Sequence, residues 1–256
     1  MFQLAPIGII RSGFREKFGI PRQAGLAPAA RATLELLPPY NQPAAVRGLE
    51  GFSHVWLVFV FHGIPMGRWQ PTVRPPRLGG NRRLGVFAAR STFRPNPIGL
   101  SAVKLERITT GQGQVVLHLQ GVDLLDETPV LDIKPYLPYA DRIPEATGGF
   151  ASEAPEPLTA VEFSPAAAAY CANWPHDDDD LRELLVQILR QDPRPAYERA
   201  RRPPRRYGMR LFDCDVRWEM RDEAAYVTEI LPAPRGDAES LDGRRREDDC
   251  NPHDPR

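Results

Sequence analysis

Through the first half of the chain, apolar residues come in short runs rich in valine, isoleucine, leucine and phenylalanine, and clusters of Gly, Pro, Asn and Asp separate one run from the next. The runs fall at Pro6 to Arg11, Ala32 to Leu37, His54 to His62, Leu84 to Arg90, Gly99 to Ile108, Gln114 to Val122 and Thr128 to Tyr136. Their length and the turn residues between them predict strands, and strands at this spacing predict a β-barrel. The run HVWLVFVFH is apolar on both faces, which predicts a fully buried strand. The run from Gln114 is ambiguous in phase, and one phase puts Val115, Leu117 and Leu119 on a common face. No amphipathic helix recurs between these runs and no G-x-G-x-x-G opens a helix after a strand, which argues against a doubly wound parallel sheet.

The pattern changes after Ala151 to Pro157, ASEAPEP, a polar, proline-bearing junction. From Asp177 an acidic turn leads into Leu181, Leu184, Leu185, Ile188 and Leu189, the i, i+3, i+4, i+7, i+8 spacing of one apolar helix face. This helix is expected to pack on a small sheet. In Phe212 to Met220 the apolar Phe212, Cys214, Val216, Trp218 and Met220 alternate with Asp213, Asp215, Arg217 and Glu219, predicting a strand that Tyr226 to Leu231 pairs with. The fold class is therefore mainly β with an α+β appendage: a non-Rossmann β-barrel domain over 1–150 and a small C-terminal α+β domain over 158–232. The tail 236–256 has almost no apolar content and is expected to be disordered.

Composition narrows the class. With 256 residues, 42% hydrophobic and 26% charged, the chain can bury a substantial core. Its longest apolar run, Val55 to Phe61, is too short to span a bilayer, and MFQLAPIGIIRS lacks the features of a secretory signal, so a cytoplasmic location is expected. Cys171, Cys214 and Cys250 form no C-x-x-C pair and support neither a disulfide framework nor a zinc site. The net charge of zero hides an asymmetry: residues 1–150 carry 17 Lys and Arg against 10 Asp and Glu, and residues 151–256 carry 16 against 23. A basic first half suits a polyanionic partner. Lys17, Lys104 and Lys134 are the only lysines, so the positive charge is nearly all guanidinium, which favours forked contacts to phosphate or carboxylate.

Candidate chemistry gathers in four clusters of the first half: residues 13–26, residues 59–63, residues 74–101 and residues 122–136. The third holds Arg74, Arg77, Arg82, Arg83, Arg90 and Arg94 with Asn96, among glycines and X-Pro steps, and reads as a binding loop. The fourth sets Asp123, Asp126, Glu127 and Asp132 beside Lys134, acids able to bind a ribose or amine, accept a proton, or punctuate turns. His62, at the end of an apolar strand, is the histidine best placed for a ligand site, and His118 is expected to face solvent. A hydrolase using His62 and Ser101 lacks the G-x-S-x-G context, and no H-E-x-x-H or comparable spacing offers a metal site.

The four clusters, with IGIIRS, EKFGIPRQ, PYNQPAAVRGLEGFSHVWLVFVFH, TVRPPRLGGN, GVFAARSTFRPNPIGLS, DIKPYLPYAD, DPRPAY and YGMRLFDCDVRW, resemble the TrmO (TsaA, YaeB) family of tRNA methyltransferases from about Ile7 to Leu231. The resemblance implies an enzyme dependent on S-adenosylmethionine (SAM) that methylates N6 of threonylcarbamoyladenosine, the modified adenosine at tRNA position 37. It also implies a homodimer whose cofactor lies on a β-barrel. Carried over by position, Pro21, Arg22, Gln23, Phe61, His62, Arg90, Leu100 and the segment Gly121, Val122, Asp123, Leu124, Leu125 and Asp126 are expected to form the SAM pocket. Arg11, Lys17, Arg94 and Asn96 are expected at the modified nucleoside and its phosphates, with Lys134 and Tyr136 beside them.

The attacking N6 lies between adenine and a carbamoyl group and must lose a proton. Asp126 or Asp132 is the expected acceptor, with Lys134 stabilising developing charge and Tyr136 at the same site. Arg202, Arg205 and Arg206, in RARRPPRRYGMR, are expected to hold the anticodon stem through phosphate contacts, or else to form a solvated linker. Two other readings compete: a SAM-dependent methyltransferase with another substrate, and a non-catalytic RNA- or nucleotide-binding barrel.

Overall fold

The computed structural model describes residues 3–65, 67–79, 82–154, 156–158, 160–176, 179–194 and 205–233. Arg202, the end of DPRPAY, Asp177, and the tail 236–256 with Cys250 and His253 lie outside the described residues.

The first half forms β1 (Gly8–Ser12), β2 (Arg31–Leu36), β3 (His54–Val60), β4 (Thr72–Val73), β5 (Leu84–Gly85), β6 (Ile98–Gly111), β7 (Gln114–Gln120) and β8 (Pro129–Pro135). Six of these close into a barrel in the order β1-β2-β7-β6-β3-β8. Every pairing in it is antiparallel, and β8 returns to β1 through Gly8↔Val130 and Ile9↔Pro129. Strand alternation sends Ile10, Leu34, Leu57, Phe59, Val103, Leu117, Leu119 and Val130 into the interior, where all are buried. Each such side chain contributes about 1.5–3 kcal/mol by leaving water. The register shifts between Val58 and Phe59 and between Leu105 and Arg107, bulges that bend β3–β8 and β6–β7 to close the barrel. Val115, Leu117 and Leu119 do share the inner face of β7.

Two expectations about the barrel need correction. Leu84 to Arg90 is not a barrel strand: only Leu84–Gly85 are extended, paired with Thr72–Val73, and Val86–Ala88 turn into a 3-10 helix. Val86 is the one buried side chain there, and glycine and alanines offer a sheet too little to pack. Nor is β3 buried on both faces. Val55, Leu57 and Phe59 fill the barrel, while Trp56, Val58 and Val60 lie half-buried on its outside.

A one-turn helix α1 (Pro138–Asp141) and a 3-10 turn at Gly149–Ala151 lead out of the barrel. Beyond them come β9 (Ala160–Phe163), α2 (Pro165–Ala172), α3 (Leu181–Arg190), β10 (Arg206–Leu211), β11 (Cys214–Arg221) and β12 (Ala224–Pro232). The sheet order is β10-β11-β12-β9, with β9 parallel to β12 and the helices packed against this sheet. Helix α3 starts where the Asp180 carboxylate accepts the Glu183 N–H at 2.9 Å, and its five predicted apolar residues are all buried. Cys214 and Trp218 are fully buried.

The predicted strand at Phe212 begins two residues later. Phe212 and Asp213 form the β10–β11 turn, with Phe212 in the left-handed region at φ 52°. An aromatic residue is costly there, and its position is fixed by the barrel: the Phe212 N–H donates to Gly13 O at 2.6 Å. A Cβ on Gly13 would lie 2.6 Å from the Phe212 ring, so this join requires glycine. Phe14 bridges to Leu211 beside it, and one continuous core runs through the barrel and the small sheet.

Candidate active site

Antiparallel neighbours bring the end of β1, the end of β3, the start of β6 and the approach to β8 to one mouth of the barrel. A cleft of about 560 Å³ opens there. It is lined by Lys17, Ile20, Pro21, Arg22 and Gln23 after β1, and by Phe59 to Ile64 at the end of β3. Trp56 on β3, Phe87 to Arg94 (without Ala88 and Phe93), Ile98 to Ser101, and Asp123, Leu124, Leu125 and Thr128 complete the wall. Gly99 faces Phe59 across the β3–β6 pair, and a Cβ on Gly99 would sit 2.3 Å from that ring, so the glycine lets Phe59 lie flat against β6. Phe59 in turn packs edge-to-face on Phe61 at 5.2 Å, giving the cleft an aromatic floor.

Asp123 is the polar group set into this floor. Its carboxyl accepts hydrogen bonds from the Ser101 side chain and from the N–H groups of Ala24 and Asp123, and Arg90 lies near enough to act on it by charge. Burial nevertheless dominates and holds its pKa above the ordinary aspartate range. Oδ1 is buried without a hydrogen-bond partner among the described residues. The segment around it is braced by Ser12, whose hydroxyl donates to Leu124 O at 2.9 Å. Arg90 donates to Gln23 Oε1, Lys17 donates to Gly63 O at 2.5 Å, and Arg94 donates to Ala89 O at 2.7 Å and Val86 O at 3.2 Å. His62 stands beside the Thr128 hydroxyl at 3.4 Å, and burial lowers its pKa from 6.5 against the opposing pull of Glu127. The ring is therefore neutral at pH 7.

Of the expected pocket residues, the cleft gathers Pro21, Arg22, Gln23, Phe61, His62, Arg90, Leu100, Asp123, Leu124 and Leu125, together with Lys17 and Arg94. Gly121 and Val122 are buried behind the wall, and Gly121 O accepts the Gly25 N–H at 2.8 Å. Asn96 is exposed on the loop before β6 and does not line it. Asp126 lines a second, larger cleft of about 1100 Å³ between the barrel and the small sheet, which shares His62 and Leu125 with the first. There Asp126 pairs with Arg15 and accepts the Ser12 N–H at 2.9 Å, while Arg11 pairs with Glu35 at 3.2 Å and Glu127 at 3.4 Å. His118 lines the same cleft and is half-buried.

Asp132 and Lys134 pair with each other at 2.8 Å on the outer face of β8, where Lys134 is opposite Trp56. Tyr136 lies against Trp56 and His54, at 5.7 and 6.3 Å between ring centres. None of the three lines either cleft. Arg205 and Arg206 are exposed at the start of β10, and Arg206 faces Glu219 at 3.5 Å. Sequence reasoning missed Ser101 as the partner of Asp123, Phe59 and Gly99 as the floor, and Arg15 as the partner of Asp126. Gly99 near the start of an apolar run, two residues before the polar Ser101, was a visible signal for the first two.

The profile of the TrmO N-terminal domain, tRNA-methyltransferase O, matches residues 9–142, and that of the TrmO C-terminal domain matches residues 156–233. The chain belongs to the TrmO family. A tRNA (adenine(37)-N6)-methyltransferase of Escherichia coli is 48% identical over 90% of this chain and 98% of its own length. RcsF of Pseudomonas aeruginosa, assigned as an S-adenosylmethionine-dependent methyltransferase, is 56% identical over 84% of this chain and 91% of its own. A crystal structure of TrmO from P. aeruginosa superimposes with a TM-score of 0.75 at 47% identity, covering 91% of this chain and 98% of that one. In TrmO terms, the barrel and cleft lie in the segment matched by the N-terminal profile, and the sheet carrying Phe212 lies in the segment matched by the C-terminal one.

Proposed function

We propose that this chain is a tRNA (adenine37-N6)-methyltransferase using S-adenosylmethionine, and that its substrate nucleoside is threonylcarbamoyladenosine. The observation that carries the reading is Asp123 Oδ1, a buried carboxylate oxygen without a partner among the described residues, in an aromatic-floored cleft. Such an oxygen is costly unless a bound donor satisfies it, and a hydroxyl or ammonium of the cofactor is such a donor. The residues present fit the cofactor. Phe59, Phe61 and Leu124 offer an apolar slot for a purine, and the guanidinium groups of Arg22 and Arg90 offer partners for a carboxylate. When bound, SAM supplies an electrophilic methyl group carried on a sulfonium.

The chain's own residues do the rest. His62 is neutral at pH 7 and lines both clefts, so we assign it the proton lost from N6. Asp126 has both oxygens engaged by Arg15 and Ser12, which suits a positioning role. For the substrate's threonyl carboxylate we choose Arg94, with Lys17 at the rim, since both line the cleft. Arg205 and Arg206, with Arg202, remain our choice for phosphates of the anticodon stem, and Arg11 and Asn96 for the nucleoside's surroundings.

We also propose that the enzyme is a homodimer of two-domain chains, divided into 1–150 and 158–232, working in the cytoplasm where tRNA is. The outer face of β3 and β6 supports a dimer contact at the edge of the cleft, because Leu100 and Ile98, which also line the cleft, are 55% and 39% exposed beside Trp56 and Val58. On that placement Asp132, Lys134 and Tyr136 sit at the contact between copies. Transfer of label from methyl-labelled SAM tests the reading: tRNA carrying threonylcarbamoyladenosine should accept it, and the same tRNA without the modification should not. Equal labelling of both would remove the substrate assignment.

A further inference from the structure

The loop from β3 to β6 carries more positive charge than the cleft uses. Between Glu50 and Glu106 the sequence holds seven arginines and one lysine and no acidic residue. Four of these cations have work inside the protein: Arg77 donates to Glu153 O, Arg90 to Gln23, Arg94 to two carbonyls and Lys104 to Gln120. The other four, Arg68, Arg74, Arg82 and Arg83, are exposed and make no side-chain hydrogen bond or ion pair among the described residues.

These four sit on a built element. Thr72–Val73 pair with Leu84–Gly85, the Val86 N–H donates to Pro71 O at 3.0 Å, and the Gln70 N–H donates to Phe93 O at 3.2 Å. The result is a hairpin arm whose base is tied to the loop that lines the cofactor cleft. Arg77 pins its far side to the turn at Glu153. Two large aromatic side chains are left open on it: Trp69 is 48% exposed and Phe87, at the rim of the cleft, is 76% exposed.

We propose that this arm is a single-stranded RNA grip. Trp69 stacks on an unpaired base of the anticodon loop, and Arg74, Arg82 and Arg83 contact the phosphates on either side, so that the target nucleotide is delivered over Phe87 into the cleft. Unneutralised arginines beside exposed aromatic faces are what unpaired RNA needs: the rings take bases of any sequence, and the guanidinium groups take the backbone. A protein partner would leave the charge unanswered unless it were strongly acidic. The proposal rests on the tRNA methyltransferase reading and adds the surface that holds the loop.

The test measures binding of threonylcarbamoyladenosine-bearing tRNA across a salt series for the full chain, an R74Q/R82Q/R83Q variant and Trp69→Ala, with SAM affinity and oligomeric state measured for each. The triple variant should flatten the dependence of log K on log salt by about 2, from ~0.7 per single-strand phosphate contact. Trp69→Ala should weaken binding by about tenfold or more, as loss of one base stack, with the salt slope unchanged. SAM affinity should hold in both. If the parent binds tRNA and both variants bind it equally with the parent's slope, the grip is overturned while the enzyme reading stands. If the variants instead lose their association with a second copy, the arm is a protein interface. A parent that binds no tRNA would remove the enzyme reading and the grip together.

Discussion

Asp123→Asn moves two quantities in opposite directions. Asn keeps the shape of the carboxyl and its place beside Ser101 and Ala24, and it removes the charge from a buried oxygen that has no partner among the described residues. An unsatisfied buried polar group costs about 1–3 kcal/mol. Relieving part of that should raise the melting temperature of the cofactor-free chain by about 2–4 °C per kcal/mol for a protein of this size. Cofactor binding should suffer, because the lost hydrogen bond to a charged acceptor contributes about 1.5–3 kcal/mol, or about 10- to 150-fold in Kd. Thermal melts without SAM and calorimetric titration with SAM at pH 7.5 read the two effects. The pH dependence adds a sign. Burial raises the Asp123 pKa above 3.8, so the native state favours the protonated form, and the destabilisation sets in as pH rises through the folded-state value. SAM affinity should conversely fall as pH drops through that value, and the Asn variant should lose this dependence. A lower melting temperature with unchanged SAM affinity would show that Asp123 only holds the loop and would refute the argument.

Three further predictions follow from the packing. Gly99→Ala forces a Cβ to 2.3 Å from the Phe59 ring and should cost about 1–3 kcal/mol in thermal stability while loosening SAM binding; an unaltered melt would mean the floor is not fixed as described. Asp192→Asn breaks the buried fork to Arg194, with contacts of 2.7 and 3.0 Å, and should lower the urea midpoint by the equivalent of about 3 kcal/mol at constant m; a change under 1 kcal/mol would show that the pair is not isolated from water. Cys214 is fully buried and its thiol is pushed up to about 12, so peptide mapping after iodoacetamide at pH 8 should find it unmodified in the native protein and labelled only after unfolding. Native labelling at Cys214 would contradict the packing of β11.

Much of the barrel was legible because period-two alternation and turn residues act locally: β2, β3, β6, β7 and β8 fall where the runs predict them. The rest depends on partners that a sequence does not display. Helix α2, PAAAAYCA, has almost no contrast between polar and apolar positions, so its period is invisible until it lies on β12. Strand β10 is an edge strand whose buried Met209 and Leu211 flank Arg210 and follow Arg206 and Gly208, too short an alternation to stand out in sequence. Phe212 continues an alternating run in sequence, and only its contact with Gly13, from the other end of the chain, turns it into a hairpin. The candidate site shows the same division. The PRQ, His62 and Asp123 to Leu125 positions come together at one barrel mouth. Asp132, Lys134 and Tyr136 belong to the same motif yet emerge on the outer face, because the alternation of β8 points them outward, where Lys134 and Tyr136 stand behind Trp56, a residue of the cleft wall.

The account rests most directly on the reaction itself, and nucleoside mass spectrometry of tRNA incubated with the protein reads it. Threonine tRNA bearing threonylcarbamoyladenosine at position 37 should gain one methyl group on the N6 side of that nucleoside, only when SAM is present, and the gain should collapse in His62→Ala. No methyl gain in protein that binds both SAM and the tRNA, or a gain on a different nucleoside, would contradict the account.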